Sequence, residues 1–396
     1  MNYKKKSIRE ADLAGKKVLL RVDFNVPQDK KTGAITSDVR IRAALPTVQY
    51  LLDQNCAVIV CSHLGKPKGK VVPALTLAPV AERFAELLGK PVLFAADTIG
   101  EDARAKAAAL QGGQVLLLEN TRFDPREEGN DPEYSKALAD MAEVYVSDAF
   151  GAVHRAHAST AGVADFLPAY CGFLVEKELS AIGGAIEDPK RPLVAVLGGA
   201  KIADKLAVIE NLLAKADTLI IGGGMAYTFL KAQGYEIGTS LFDESKLDYC
   251  KDMLQKAGER IVLPVDHVVA EKYDAEAASK VVDNDAIPAD WMGLDIGPKS
   301  AEKFAQIVKS AGTVVWNGPM GVFEFDKFAG GTKAVAEAMA ACEGVTVIGG
   351  GDSASAIEKL GLEDKVTHVS TGGGASLEFM EGKELHGVAC LISSEI

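Results

Sequence analysis

Arginine and histidine recur at the ends of four short apolar runs in the first half of the chain. The segments are Arg21-Val-Asp-Phe-Asn-Val-Pro27, Ser62-His-Leu-Gly-Lys-Pro67, Glu119-Asn-Thr-Arg122 and His154-Arg-Ala-His157. Arg40 and Arg42 open a helical stretch after the first of them. A lone surface arginine is ordinarily a solvated side chain. The same types repeated after successive strands would converge on one sheet edge, where a planar guanidinium grips phosphate or carboxylate with paired hydrogen bonds. The chemistry implied is a site for a small, multiply anionic ligand. The residue types do not name it.

In the second half the corresponding positions are glycine-rich: Gly198-Gly-Ala-Lys201, Gly222-Gly-Gly224, Asn317-Gly-Pro-Met-Gly321, Gly349-Gly-Gly-Asp-Ser353 and Gly372-Gly-Gly374. Glycine lets backbone approach a ligand, and a following helix N-terminus offers free N–H groups to phosphate. One such loop is a common tight turn; five on one expected edge point to a phosphate-bearing ligand. No G-x-x-x-x-G-K-[ST] is present, and no G-x-G-x-x-G follows the first strand, so neither a Walker P-loop nor a dinucleotide fingerprint explains them. Lys201 and Lys205 open an amphipathic stretch over 201–216, with Ile202, Leu206, Ile209 and Leu213 on one face. Cations at a helix N-terminus oppose its dipole unless an anion sits there. Asp352 has two readings: a helix N-cap, or a Mg²⁺ ligand that shares the ion with substrate phosphates. The six histidines do not cluster at metal spacing.

These segments need a frame. Short continuous apolar runs at Val18–Val22, Ala57–Cys61, Val115–Leu118 and Val144–Val146 predict buried parallel strands, as do Leu193–Leu197, Thr218–Ile221, Ile261–Pro264, Thr313–Trp316 and Val345–Ile348. Helical stretches intervene, such as Ile41–Gln54, Leu77–Leu88 and Lys333–Ala341. The fold class expected is α/β: two domains, each a mainly parallel sheet flanked by helices (Rossmann-like), joined by a helical hinge. At about 150 residues per domain, 396 residues suit two sheets better than one. The boundaries read as 1–170, a linker over 171–190 with Val175–Ile186 helical, and 191–386.

Composition supports different tasks for the two parts. Residues 1–170 carry 22 basic against 21 acidic residues, and residues 171–396 carry 21 against 34, for a net charge of −12. Nine of the eleven arginines lie in the first part. The negative balance argues against nucleic-acid partners. The longest uncharged stretch, Ser310–Phe323, has fourteen residues, too few for a membrane span of about 20. The lysine-rich start lacks the apolar core of a secretory signal. Six cysteines without a C-x-x-C pair read as reduced core residues of a cytoplasmic protein.

Taken in order, RVDFNVP (Arg21–Pro27), DVRIRA (Asp38–Ala43), SHLGKP (Ser62–Pro67), ENTRF (Glu119–Phe123), SDAFG with HRAHAS (Ser147–Ser159), GGAKIADK (Gly198–Lys205), WNGPMGVFE (Trp316–Glu324), GGGDS (Gly349–Ser353) and STGGGAS (Ser370–Ser376) are specific. On these motifs the chain resembles the phosphoglycerate kinase family over nearly its whole length. The resemblance implies a hinge-bending monomer that moves a phosphoryl group between 1,3-bisphosphoglycerate and MgADP. By it, Asp23, Phe24, Asn25, Arg40, His63, Leu64, Gly65, Lys66, Arg122 and Arg155 would hold the phosphoglycerate. Lys201, Lys205, Gly293, Asn317, Glu324, Gly350, Gly351, Asp352 and Ser353 would hold ATP or ADP, with Gly293 near the adenosine, Glu324 on the ribose and Asp352 on Mg²⁺. Arg40, Lys201 and the backbone of Gly372, Gly373 and Gly374 would serve the transferring group. The resemblance also implies that the tail, 387–396, returns to the first domain. Two departures stand out. Lys66 occupies a position where the family commonly has Arg, and Val153 one where it has Ala. The residues alone also admit a kinase of another small carboxylic acid, or a non-catalytic nucleotide- or anion-binding protein.

Overall fold

The structure, a computed structural model, describes residues 2–394. The chain forms two compact units. One comprises Asn2–Ser180 and the returning segment from Glu384; the other is Ala181–Lys383.

The first unit is built on strands β1 (Lys17–Arg21), β2 (Ala57–Cys61), β3 (Val92–Phe94), β4 (Val115–Leu117), β5 (Val144–Ser147) and β6 (Ala169–Cys171). They lie in the order β3-β4-β2-β1-β5-β6, and every pairing is parallel. Every residue of β2, β4 and β5 is buried, which is why their sequences are continuous rather than alternating. The helix Val39–Asp53 covers one face with Ile41, Ala44, Val48, Leu51 and Leu52. The strand order reverses beside β1, so the carboxyl ends of β1 and β5 flank the crevice where open α/β sheets bind ligands. Beyond β6, Ile392 N donates to Ala169 O at 3.0 Å and Gly387 N to Val153 O at 2.8 Å. Val153 is fully buried and packs directly under Gly387. The last two residues of the expected tail, 395 and 396, lie outside the described residues.

The second unit carries β7 (Leu193–Leu197), β8 (Thr218–Ile221), β9 (Ile261–Val262), β10 (Asp266–Ala270), β11 (Ser279–Asp283), β12 (Met292–Ile296), β13 (Thr313–Asn317), β14 (Val345–Gly349) and β15 (His368–Val369). Its main sheet is parallel, ordered β15-β14-β13-β7-β8-β9. That is the doubly wound order of dinucleotide-binding sheets, reached here without their glycine fingerprint. The order reverses between β7 and β13, so the loops after these two strands meet at the switch point.

Besides the short edge strands β3, β6 and β15, which the apolar runs did not include, three features depart from the expectation. A separate antiparallel sheet, β11-β10-β12, lies between β9 and β13 in sequence. Four of the five residues of β11 are exposed, so the strand has no apolar face for a sequence pattern to reveal. The segment over 201–216 is not one α-helix. Lys201 is extended (φ −114°, ψ 116°), Ile202–Lys205 form a 3₁₀ turn, and the α-helix runs from Leu206 to Lys215. The tighter turn buries Ile202 while the Lys205 ammonium reaches Asn317; the two lysines therefore do not share a row of one helix. The expected linker helix is a composite of Phe173–Glu178, a π-helical turn Leu179–Gly183, and Gly184–Glu187. The change of unit, after Ser180, falls inside the π turn.

Candidate active site

In the first unit, the carboxyl end of β1 delivers Asp23, Phe24 and Asn25, and the adjoining helix delivers Arg40. Arg40 Nη1 donates to Asp23 Oδ1 at 3.2 Å and to Asn25 O at 2.7 Å. Asn25 Oδ1 accepts from Gly65 N at 2.9 Å, and Arg122 Nη1 donates to Gly65 O at 3.1 Å. Gly65 thus ties the segments after β1, β2 and β4 together. Asn120, fully buried, clamps Leu64 from both sides, accepting from its N at 3.1 Å and donating to its O at 2.8 Å. His63 is buried, and burial holds its imidazole well below the ordinary histidine range, reinforced by Arg21, Arg122, Arg40 and His157. Burial also lowers Arg122, with Arg21 and Arg155 opposing its charge. Arg155 is exposed and donates to His154 at 3.3 Å. Lys66 is exposed. The cluster concentrates positive charge at one sheet edge, as an anion site requires.

Two expected contacts change character. The side chains of Phe24 and Leu64 are buried in the hydrophobic core, Phe24 edge-on to Phe84 with ring centroids 5.1 Å apart. Only their backbone can serve a ligand; their side chains fix the neighbours that do. Arg42 turns away to Asp38, at 2.9 Å, a carboxylate it shares with Arg83.

In the second unit, two bays adjoin at the switch point. The first, about 250 Å³, has apolar walls from Leu241, Met292, Leu294, Pro319 and Val322, with Gly293, Glu324 and Asp352 also lining it. The second, about 520 Å³, carries the lysines. Lys201, Lys205, Asn317, Gly350, Gly351, Asp352 and Ser353 line it, together with Gly373 and Gly374. Gly199, Ala200, Pro319 and Asp352 belong to both linings. A bay with apolar walls beside one with lysines and helix N-termini fits a nucleotide and its phosphates.

Backbone packing builds this arrangement. Gly198 N donates to Asn317 O at 2.9 Å and Gly199 N to Pro319 O at 3.0 Å. A side chain on Gly198 would strike the Pro319 carbonyl, and Gly318 sits at φ +101° against Gly198. The buried Ser353 hydroxyl accepts from Gly318 N at 2.7 Å, docking the helix Gly351–Lys359 onto the same loop. The N-cap of that helix is Gly350 (φ +92°), and Asp352 stands exposed in its first turn. The N-cap reading of Asp352 is therefore not realised. Gly372 is the buried N-cap of the helix Gly373–Met380 and does not line the bay; Gly373 and Gly374 do. Gly293 donates its N–H to Ser240 Oγ at 2.9 Å and packs on the Tyr227 hydroxyl.

The family model described as Phosphoglycerate kinase matches residues 8–383. The chain belongs to the phosphoglycerate kinase family. It is 57% identical over 397 residues to the phosphoglycerate kinase of Clostridium novyi (strain NT), with 99% of each chain covered. Among solved structures, phosphoglycerate kinase from Coxiella burnetii superposes with a TM-score of 0.91 at 42% identity, covering 98% of both chains. The Pyrococcus horikoshii OT3 phosphoglycerate kinase gives a TM-score of 0.80 at 35% identity, again covering 98% of both. Sequence reasoning placed Arg21 among the cations converging on the sheet edge, whereas the structure buries it completely, and it gave no role to Glu127 or Ser159. Arg21 ends β1 inside the buried stretch 18–22, and an arginine within an apolar run was the available signal. The apolar bay's walls, Leu241 and Met292 among them, carry no chemical signature in sequence.

Proposed function

We propose that the protein catalyses reversible phosphoryl transfer from 1,3-bisphosphoglycerate to MgADP, giving 3-phosphoglycerate and MgATP, as a cytoplasmic glycolytic monomer. The observation that carries this reading is the pairing of two sites in a chain of this family. One is an Arg/His cluster at the switch point of the first sheet; the other is a pair of glycine-lined, lysine-bearing bays at the switch point of the second. In this reading Asp23, Asn25, Arg40, His63, Arg122 and Arg155 bind the phosphoglycerate, with Lys66 at the edge. The apolar bay takes the base and Glu324 the ribose, while Lys201, Lys205 and the helix starts at Gly351 and Gly373 take the phosphates.

The acceptor carboxylate is already ionised near neutral pH, so neither direction needs a general base. Positioning and charge stabilisation supply the catalysis. Arg40 and Lys201 neutralise the oxygens of the transferring group, and the N–H groups of Gly373 and Gly374 add donors. Among the described residues no three His, Cys, Asp or Glu side chains cluster as a metal site. Two exposed carboxylates, Asp204 and Asp352, line the phosphate bay, and so few suit Mg²⁺, which takes most of its ligands from phosphates and water. Asp352 would hold the ion, whose charge would orient and neutralise the nucleotide phosphates.

The test is hydroxylamine trapping. ATP and 3-phosphoglycerate with the protein should yield a hydroxamate, the signature of an acyl phosphate. ADP formation without hydroxamate would contradict a carboxyl acceptor.

A further inference from the structure

Arg21, the last residue of β1, is completely buried, and the mechanism above leaves it without a role. Each nitrogen of its guanidinium has a partner. Nε donates to Ser159 Oγ at 2.8 Å, Nη1 to Val22 O, and Nη2 meets His63 Nδ1 at 3.0 Å. A guanidinium can only donate. The His63 Nδ1 must therefore be a lone pair, and a ring that accepts there is neutral with its proton on Nε2.

The charge of Arg21 is balanced one bond further out. Ser159 Oγ donates its O–H to Glu127 Oε2 at 2.6 Å, and Ser159 N donates to Glu127 Oε1 at 2.7 Å. Glu127 is also fully buried, so a single hydroxyl joins a buried cation to a buried anion. The backbone of His63 is pinned as well: Ser62 Oγ donates to His63 O at 2.9 Å and accepts from Phe24 N at 2.9 Å. The groups facing His63 are Arg21 from β1, Arg40 from the helix Val39–Asp53, Arg122 from the turn after β4 and His157 from the segment after β5. Each of them, like burial, disfavours a second proton on the ring.

We infer that Arg21 is a positioning residue that fixes His63 as a neutral hydrogen-bond donor through Nε2. The acid site then recognises its ligand by arginine charge and by one uncharged imidazole donor, not by an imidazolium. This rests on the reading that His63 serves the phosphoglycerate. Binding should consequently show no contribution from His63 titration across the ordinary histidine range.

The experiment is nitrogen-15 NMR of the full chain with labelled histidines, His63 being assigned by its loss in His63→Gln. In the unsubstituted protein, Nδ1 should be bare and Nε2 protonated, unchanged between about pH 5.5 and 8. A proton on Nδ1, or a titration inside that range, overturns the inference without any further variant. Arg21→Met should free Nδ1 and raise the ring's pKa, without restoring its ordinary value, because burial, Arg122 and Arg40 remain. The KM for 3-phosphoglycerate should then acquire an acid-side improvement absent from the parent, with kcat less affected. Arg21→Lys, which keeps the charge and a donor, should largely restore the parental profile. Because Arg21→Met strips Glu127 of its counter-charge, Arg21→Met/Glu127→Gln serves if the single variant folds poorly. An unchanged tautomer and unchanged KM profile in either variant also overturns the inference. Saturating 3-phosphoglycerate tests the underlying reading separately. A His63 signal indifferent to ligand would remove His63 from the acid site while leaving the tautomer result standing.

Discussion

The Lys205 ammonium donates to the side-chain oxygen of Asn317, joining the segment after β7 to the end of β13 across the reversal of strand order. Asn317 is buried and Lys205 half-buried, and burial draws the lysine below its ordinary range. Lys205 is also the N-cap of the helix Leu206–Lys215, where a cation opposes the dipole. Its hydrogen bond and these penalties offset each other. Lys205→Met should change unfolding free energy by only about 1 kcal/mol while weakening ADP binding by about tenfold or more, the equivalent of about 1.4 kcal/mol. Calorimetry of unfolding and of ADP binding on the same preparations checks the contrast. A large stability loss with unaltered affinity would assign the lysine to the fold instead.

Lys66 follows Gly65, the residue that Asn25 and Arg122 both hold, and its side chain is exposed. Lysine carries the same charge as arginine but lacks its planar fork. Lys66→Arg should lower the KM for 3-phosphoglycerate by about two- to fivefold, since one added charge-assisted hydrogen bond is worth on the order of 1 kcal/mol. The nucleotide KM should not move. Steady-state kinetics with each substrate varied in turn decides it; an equal change in both would place Lys66 outside the acid site.

Asp148 accepts from Leu174 N at 2.9 Å, and burial pushes its carboxyl up to about 7. Its folded pKa exceeds the unfolded value, so the folded state holds the extra proton between the two. The associated stability is complete below about pH 4 and lost as pH rises through 7. Asp148→Asn, which keeps the shape without the titration, should abolish that loss. The difference between parent and variant should shift by on the order of 4 kcal/mol from pH 4 to 7, at about 1.36 kcal/mol per unit. The histidines depressed by burial contribute the opposite slope in both proteins and cancel in the difference. Urea titrations at several pH values measure it, and a flat difference would refute the assignment.

The proposed acid and nucleotide sites belong to different units of the chain. Direct transfer requires reacting atoms within about 3–3.5 Å, and an acyl phosphate must be shielded from water. 3-phosphoglycerate and nucleotide together should therefore reduce the radius of gyration in small-angle scattering more than either alone. Equal radii in all four states would argue against closure.

What sequence could reveal divides along physical lines. Strands buried on both faces, such as Ala57–Cys61 and Leu193–Leu197, are legible because every position is apolar. β11 is not, because an exposed strand is defined by pairing with β10 rather than by composition. The phosphate bay is legible because close backbone approach demands glycine, as at Gly198 and Gly318. The 3₁₀ turn at Ile202–Lys205 is not, since an apolar spacing compatible with an α-helix also fits a tighter start. Phe24 and Leu64 share motifs with site residues yet serve the core. Motif membership alone does not separate a contact from its support. Arg21 shows the converse: its role follows only from bond directions that no sequence contains.

The central claim is phosphoryl transfer between ATP and a three-carbon phosphorylated carboxylate. Its most direct test mixes the protein with MgATP and 3-phosphoglycerate, and follows acyl phosphate through glyceraldehyde-3-phosphate dehydrogenase and NADH oxidation. Lys201→Ala is assayed alongside. Lys201 is an exposed side chain in the phosphate bay, so its removal should spare folding and cut turnover by about 10² to 10³. The expected result is rapid, magnesium-dependent oxidation by the parent and its near-loss in the variant. A folded parent that binds ADP yet produces no signal, or a variant as fast as the parent, would contradict the account.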